Sequence, residues 1–460
     1  MKIKSALGQK TLRGSIVLCI NTLTFALFFL RDIFASRFFG LSSRMDAVYL
    51  GIMVPSLAAN FLFQPLSDLL IPKYQARLVQ NKNILHLYLN VLIYVAVASF
   101  GITLSFYFFR DFLSSLLASG FSSENRLQVA QYIVRSLPII FFGGLTISTN
   151  IFLNSIGQYI FTSSAALFVP IVSIGFVRFF GGGSGEISFI NGMITGQILN
   201  FLSVVIFLVF KSRNHYSYKN FKLIKINHSQ IFQYGSQNLV NLCFYGFNAI
   251  SASFGTHFNE GTASLIILTN KLISFFTNLF NNTFSSVLMP YFSRLFLGDK
   301  DRFHRENKTF LYLLTLFGII AIAAIYLSSG LISHIFFSSS KITADQAANF
   351  VRFLRIGVFQ IPFLITMVIC FKWLTIYSEF KVLSIFSVLA LVLDFSLNLL
   401  LKNHYGMLSI LIAPYMALLC TMITALIIML KKDIGIKKSD VIILSSIWTL
   451  MTGLLLGLIA

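Results

Sequence analysis

The chain has 460 residues, 56% of them hydrophobic and only 11% charged, and its 35 Lys and Arg against 15 Asp and Glu leave a net charge of +20. With 51 Phe and so little charge, there is too little polar surface to coat a soluble globule of this size, and lipid must replace water over most of the exterior. The positive excess is spread over short segments between apolar stretches, without a basic domain or an aromatic-interleaved basic motif, which argues against nucleic acid as a partner.

A span needs roughly 20 apolar residues to cross the hydrocarbon core. That length predicts about thirteen transmembrane helices, at 14–36, 47–72, 84–109, 128–156, 159–180, 188–210, 231–254, 262–290, 309–336, 347–375, 381–401, 406–430 and 441–459. The expected fold class is an all-α polytopic membrane protein. Lys2, Lys4, Lys10 and Arg13 precede the first stretch as in a signal peptide. That stretch, however, is too long, has no small-x-small cleavage site and runs into Arg31-Asp32, so it reads as a retained helix. Cys19, Cys243, Cys370 and Cys420 fall within apolar stretches without CxxC or His-rich spacing, so neither a disulfide framework nor a metal site is expected.

Placing the N-terminus in the cytoplasm assigns 21 Lys and Arg to inner segments and 8 to outer ones, which fixes that orientation by the positive-inside rule. An odd number of spans then puts the C-terminus outside. The longest basic connector, 211–230, carries Lys211, Arg213, Lys219, Lys222 and Lys225 after the sixth span. It divides the chain into a six-helix lobe at 1–210, a linker, a six-helix lobe at 231–430 and an additional helix at 431–460. An internal echo points the same way: LSDLLIPKYQARL (66–78) is similar to FSSVLMPYFSRL (284–295), with Pro72 and Pro290 218 residues apart. Two Pro-terminated helices can also look alike by chance.

Ionisable residues inside apolar stretches cost several kcal/mol if they face lipid, so they mark a water-filled, charged central cavity between the lobes. At about 1.5 Å per residue, Arg31 and Lys271 lie roughly 8–14 Å below the outer surface, at matching depths. Arg135 and Arg355 lie at comparable distances from their helix starts, where they either join such a cavity or snorkel to the headgroups. Asp46 opens the second span on the same membrane face as Arg31. It either pairs with Arg31 as an outward gate or caps its own helix. Asp68 lies one turn before Pro72, whereas Asp394 is mid-span in LVLDFSLNLL and is the candidate for ion coupling on depth. Lys372 and Lys381 flank a short turn and anchor helix ends. No Walker-type loop, HExxH, GxSxG or paired-carboxylate motif occurs, and GGGSG at 181–185 follows no strand, so neither an enzyme nor a cofactor is expected. Energy must come from a cation gradient, the membrane potential or the substrate's own gradient.

The segment LRDIFASRFFGLSSRMDAVYLGIMVPSLAANFLFQPLSDLLIPKY resembles the first two helices of the lipid II flippase (MurJ/MviN) family, within the superfamily that includes multidrug and oligosaccharidyl-lipid exporters. ASLIILTNKLISFFTNLFNNTFSSVLMPYFSRLFLGD is similar to the family's eighth helix, and LTISTNIFLNSIGQY extends the likeness. Arg31 and Asp46 fall on the family's characteristic Arg and Asp. The chain departs from the pattern at Phe25, where an earlier Arg is usual, at Ser56-Leu57-Ala58-Ala59-Asn60, where an Arg pair is usual, and at Asn270-Lys271, which replaces Asp-Arg. Only one helix stands for the family's extra helices after the twelfth.

The resemblance implies two six-helix lobes around a V-shaped cavity that flip a polyprenyl-diphosphate-linked saccharide, lipid II or another lipid-linked repeat unit, across the bacterial cytoplasmic membrane by alternating access. In that reading Arg31, Lys271 and Arg135 neutralise the diphosphate, while Asn60, Gln64, Asn270 and Asn278 contact sugars or pack helices. Membrane lipid and envelope-polymer synthesis proteins are the other expected partners. The rivals are a cation-coupled drug exporter, disfavoured because the buried charges are mainly positive, and a non-transporting scaffold for envelope-polymer assembly.

Overall fold

A computed structural model describes residues 2–80, 84–212, 228–283, 292, 299–337, 341–377, 379–431 and 438–459. Among them every regular element is a helix, as a hydrocarbon solvent demands, because a helix satisfies its own backbone groups. The chain divides into two compact units, Met1–Asn241 and Leu242–Ala460. Most of the predicted linker, 213–227, and most of the second copy of the internal echo lie outside the described residues.

The first unit contains α1 (Lys2–Phe39), α2 (Ser43–Phe63), α3 (Leu66–Val79), α4 (Ile84–Phe108), α5 (Arg110–Leu117), α6 (Ser123–Ser136), α7 (Pro138–Ser155), α8 (Tyr159–Ala165), α9 (Phe168–Ser184) and α10 (Ile187–Ser212). Helix α11 (His228–Gly255) carries the chain into the second unit. There follow α12 (Thr262–Thr283), α13 (Lys300–Phe337), α14 (Ala344–Gly357), α15 (Ile361–Ile376), α16 (Phe380–Tyr405), α17 (Ser409–Lys431) and α18 (Lys438–Ile459).

Ten helical segments among the described residues are long and apolar enough to cross a membrane, fewer than the thirteen predicted spans. One of them, Lys381–Lys431, covers two predicted spans, divided by Gly406 at φ +55°. The other shortfall is at α11, whose Gln, Asn and Ser residues dilute the apolar run, and at α12, where the described apolar stretch, Thr262–Phe275, is shorter than a span. The predicted span 47–72 is also two helices: α2 ends at Phe63, and Pro65 precedes α3 where its missing N–H costs nothing. Large apolar side chains such as Phe108 (70% exposed), Phe179 (82%) and Leu327 (83%) point outward, the exterior expected where lipid is the solvent.

Proline inside a span frees the carbonyl four residues earlier, which must find another donor. In α2, Pro55 frees Gly51, and the Ser136 hydroxyl of α6 reaches the Gly51 carbonyl oxygen at 2.9 Å. A Cβ on Gly51 would lie 2.5 Å from the Tyr132 Cβ, so only glycine permits this approach of α2 to α6. The second unit repeats the device. Pro414 in α17 frees Ile410, whose carbonyl oxygen lies 3.5 Å from the Ser251 hydroxyl of α11.

Candidate functional site

Helix α1 stops at Phe39 because Gly40 turns the chain at φ +83°, and α2 begins under a cap in which the Ser42 hydroxyl accepts from the Met45 amide at 3.3 Å. This corner places Arg31 two turns inside the end of α1, and only 5% of the residue is exposed. Its Nε and Nη2 donate to Asp32 Oδ1 at 3.0 and 2.7 Å. The guanidinium lies 5.0 Å from the Phe28 ring centroid and 5.1 Å from that of Phe189 in α10. Tyr49 of α2 donates its hydroxyl to the Asp32 carbonyl oxygen at 3.2 Å and lies 3.3 Å from the Ser36 hydroxyl. The Arg31 charge is thus matched by one carboxylate and held between two π faces, and its Nη1 has no hydrogen-bond partner among the described residues.

Arg31 forms its ion pair with Asp32, not with Asp46. Asp46 is buried in the first turn of α2, where a carboxylate favours the positive helix end. Asn60 is half-buried and donates Nδ2 to the Ser56 carbonyl oxygen at 2.9 Å, and Gln64 is exposed at the end of α2. Arg135 ends α6 with an exposed side chain that donates Nε to Asn191 Oδ1 of α10 at 3.2 Å.

In the second unit, Asn270 is buried and Lys271 half-buried on α12. The side chains of Asn278 and Asp68 lie outside the described residues. Asp394 is fully buried on α16 and, one turn on, Asn398 donates Nδ2 to both Asp394 Oδ1 and the Asp394 carbonyl oxygen at 3.0 Å. Asp394 Oδ2 and Asn398 Oδ1 have no partner among the described residues. Among the described residues no Lys, Arg or His forms an ion pair with the Asp394 carboxylate, so two buried oxygens stand without a hydrogen-bond partner.

Sequence reasoning named Arg31 and Asp394 but not their partners. Asp32, Tyr49 and Phe189 complete the first site, Asn191 holds Arg135, and Asn398 holds Asp394. The adjacent carboxylate of the Arg31-Asp32 dipeptide was the available signal.

Helices long and apolar enough to cross a membrane recur through both units, with a buried arginine in one and a buried carboxylate in the other, and define a multi-pass membrane protein. The family model described as lipid II flippase MurJ matches residues 35–460, and the chain belongs to that family. It is 23% identical over 276 residues to the probable lipid II flippase MurJ of Buchnera aphidicola subsp. Baizongia pistaciae, covering 58% of this chain and 53% of that protein. The chain therefore spans about half the length of that curated relative. Its fold is similar to a solved lipid II flippase MurJ in an inward closed conformation, with a TM-score of 0.76, 18% identity, and 95% of this chain and 91% of the other covered. It is also similar to an inward-facing multidrug resistance MATE family transporter, with a TM-score of 0.67, 14% identity, and 90% of this chain and 96% of the other covered.

Proposed function

We propose that the protein flips a polyprenyl-diphosphate-linked saccharide, a lipid II-like peptidoglycan precursor, from the inner to the outer leaflet of the bacterial cytoplasmic membrane, with its N-terminus in the cytoplasm. The observation that carries this reading is Arg31, a buried cation that pairs with its chain neighbour Asp32 and, among the described residues, keeps one donor unspent. Membership of the flippase family supports it. A diphosphate cannot enter a low-dielectric core without positive charge held in place. Arg31 exchanges Asp32 for phosphate oxygens, which accept the same two-pronged guanidinium contact. Lys271 meets the diphosphate at some stage of the transport cycle, and Arg135 draws it in from its exposed position. Asn60, Gln64 and Asn270 contact sugar hydroxyls, and the lipid tail stays in the bilayer.

Asp394 is the coupling residue, taking up a proton or a monovalent cation with Asn398 Oδ1 as a second oxygen. This reading is supported by the two orphaned oxygens. In another state of the cycle Arg31 pairs with Asp46 and closes an outer gate, so that Asp46→Asn raises the accessibility of positions around Arg31 from outside. No bond is made or broken in the substrate, and envelope-polymer synthesis proteins act before and after the transport step.

The test is flipping of a fluorescent lipid-linked diphosphate saccharide by the purified protein in proteoliposomes. Lys271→Ala lowers affinity roughly 30-fold or more, the usual effect of removing a partner from a buried charged contact, whereas Lys271→Arg retains activity. Normal flipping by Lys271→Ala rejects the cationic site. The same assay with a peptidoglycan and an exopolysaccharide headgroup separates the two saccharide classes. Orientation is checked independently by an impermeant thiol reagent on intact cells, which labels Ser184→Cys and spares Arg302→Cys in a chain without native cysteines.

A further inference from the structure

We propose that the second unit binds the phosphate of an anionic glycerophospholipid in a cavity between α13, α14 and the end of α18, a site independent of whatever the protein transports. The cavity has a volume of about 220 Å³ and is walled by Tyr326, Ala348, Arg352, Arg355, Ile356 and Leu458 among others. Arg352 and Arg355 are three residues apart and therefore share a helix face. Arg355 is oriented by its neighbours, with Nε donating to the Ser329 hydroxyl at 2.9 Å and the guanidinium 5.1 Å from the Tyr326 ring centroid. Its terminal nitrogens and the whole exposed guanidinium of Arg352 make no hydrogen bond or ion pair among the described residues. The wall contains no carboxylate. Two cations facing one cavity without a counter-charge define an anion site, and guanidinium suits phosphate oxygens.

Depth identifies the anion as a lipid headgroup. Far from the cavity, α13 and α18 are tied together: Lys308 Nζ lies 2.8 Å from Asp440 Oδ1, and Tyr312 donates its hydroxyl to the same oxygen at 3.0 Å. From that tie to the cavity, Lys308 to Tyr326 and Asp440 to Leu458, each helix advances by the same number of residues, a rise of about 27 Å. The hydrocarbon core is about 30 Å thick. The basic tie and the cavity thus lie at opposite headgroup levels of one membrane. Leading back from the cavity, Leu458 (44% exposed), Leu454 (66%) and Leu450 (71%) follow one another at four-residue spacing along α18. That stripe gives an acyl chain a path, which a free phosphate does not need.

The test uses the purified, delipidated full chain in detergent, with lipid binding read by native mass spectrometry and by the shift in melting temperature. Phosphatidylglycerol is the probe, diacylglycerol supplies the chains without phosphate, and inorganic phosphate supplies the anion without chains. Saturable binding of phosphatidylglycerol alone is expected. Arg352→Ala should weaken it roughly fivefold, the contribution of one basic residue near an anionic lipid, and Arg352→Glu more strongly. Among the described residues the Arg352 guanidinium has no hydrogen-bond or ion-pair partner to lose, so both variants should melt like the parent without lipid. Arg178→Glu, an exposed change in the other unit, should bind like the parent. Parental affinity in Arg352→Glu, an equal loss in Arg178→Glu, or equal binding of diacylglycerol or inorganic phosphate would each overturn the proposal.

Discussion

The two units bury charge in opposite ways. In the first, Arg31 is compensated by a full carboxylate and two aromatic faces. In the second, Asp394 accepts a hydrogen bond from an amide, and its other oxygen has no hydrogen-bond partner among the described residues. A compensated ion pair is stable as it stands and yields its cation only to a ligand that brings equal negative charge. An uncompensated carboxylate is stable only when something positive, a proton or a metal cation, arrives from outside. In the proposed cycle the first arrangement receives an anionic substrate and the second a coupling ion, a division that substitution of either buried group tests.

The largest effect should come from breaking the compensated pair. Removing one partner of a buried ion pair costs about 3–5 kcal/mol because the other charge is stranded, whereas replacing both by apolar residues is often neutral. Asp32→Leu should therefore lower the melting temperature in detergent markedly. The double change Arg31→Met with Asp32→Leu should recover most of that loss while abolishing flipping. If Asp32→Leu melts like the parent, Arg31 is not held by this pair and the contrast between the units collapses.

At Asp394 the expected stability change is smaller and the functional change is distinct. Asp394→Asn keeps an oxygen for the Asn398 amide and removes only the ionisable group, so stability should change by no more than about 1 kcal/mol, the scale of one neutral hydrogen bond. Flipping in proteoliposomes should lose its response to an imposed proton or sodium gradient. A parental gradient response in Asp394→Asn would move the coupling ion elsewhere.

Much of this arrangement was legible in the sequence, and what was not has identifiable causes. Apolar runs of span length gave the helices, because a bilayer leaves the backbone almost no alternative. Depth alone singled out Arg31 and Asp394. The partner of Arg31 was not legible by helical spacing, since neighbouring side chains point about 100° apart and adjacent residues do not normally face each other. Arg31 reaches around the helix because its stem is long. Phe189 is far away in sequence and meets Arg31 only through packing of α10. Pro65 divides a run that hydropathy joins, because hydropathy is blind to a missing N–H.

The smallest predicted effects test whether the two units manage proline alike. The carbonyls freed by Pro55 and Pro414 face Ser136 at 2.9 Å and Ser251 at 3.5 Å. Side-chain hydrogen bonds between helices in membranes average only about 0.6 kcal/mol, and the Ser136 hydroxyl also lies 2.7 Å from the Tyr132 carbonyl oxygen in its own helix. One proton serves one acceptor at a time, so part of the Ser136 contribution is spent within α6. Ser136→Ala should thus cost about 0.6 kcal/mol, near the average, and Ser251→Ala less, because its bond is at the limit of length. The ranking is the readout, measured as the difference in melting midpoint between the two single variants. A larger loss for Ser251→Ala would mean that α17 depends on this hydroxyl more than the distance implies, and that the second unit, which already carries an uncompensated carboxylate, is also the one less tolerant of an orphaned carbonyl.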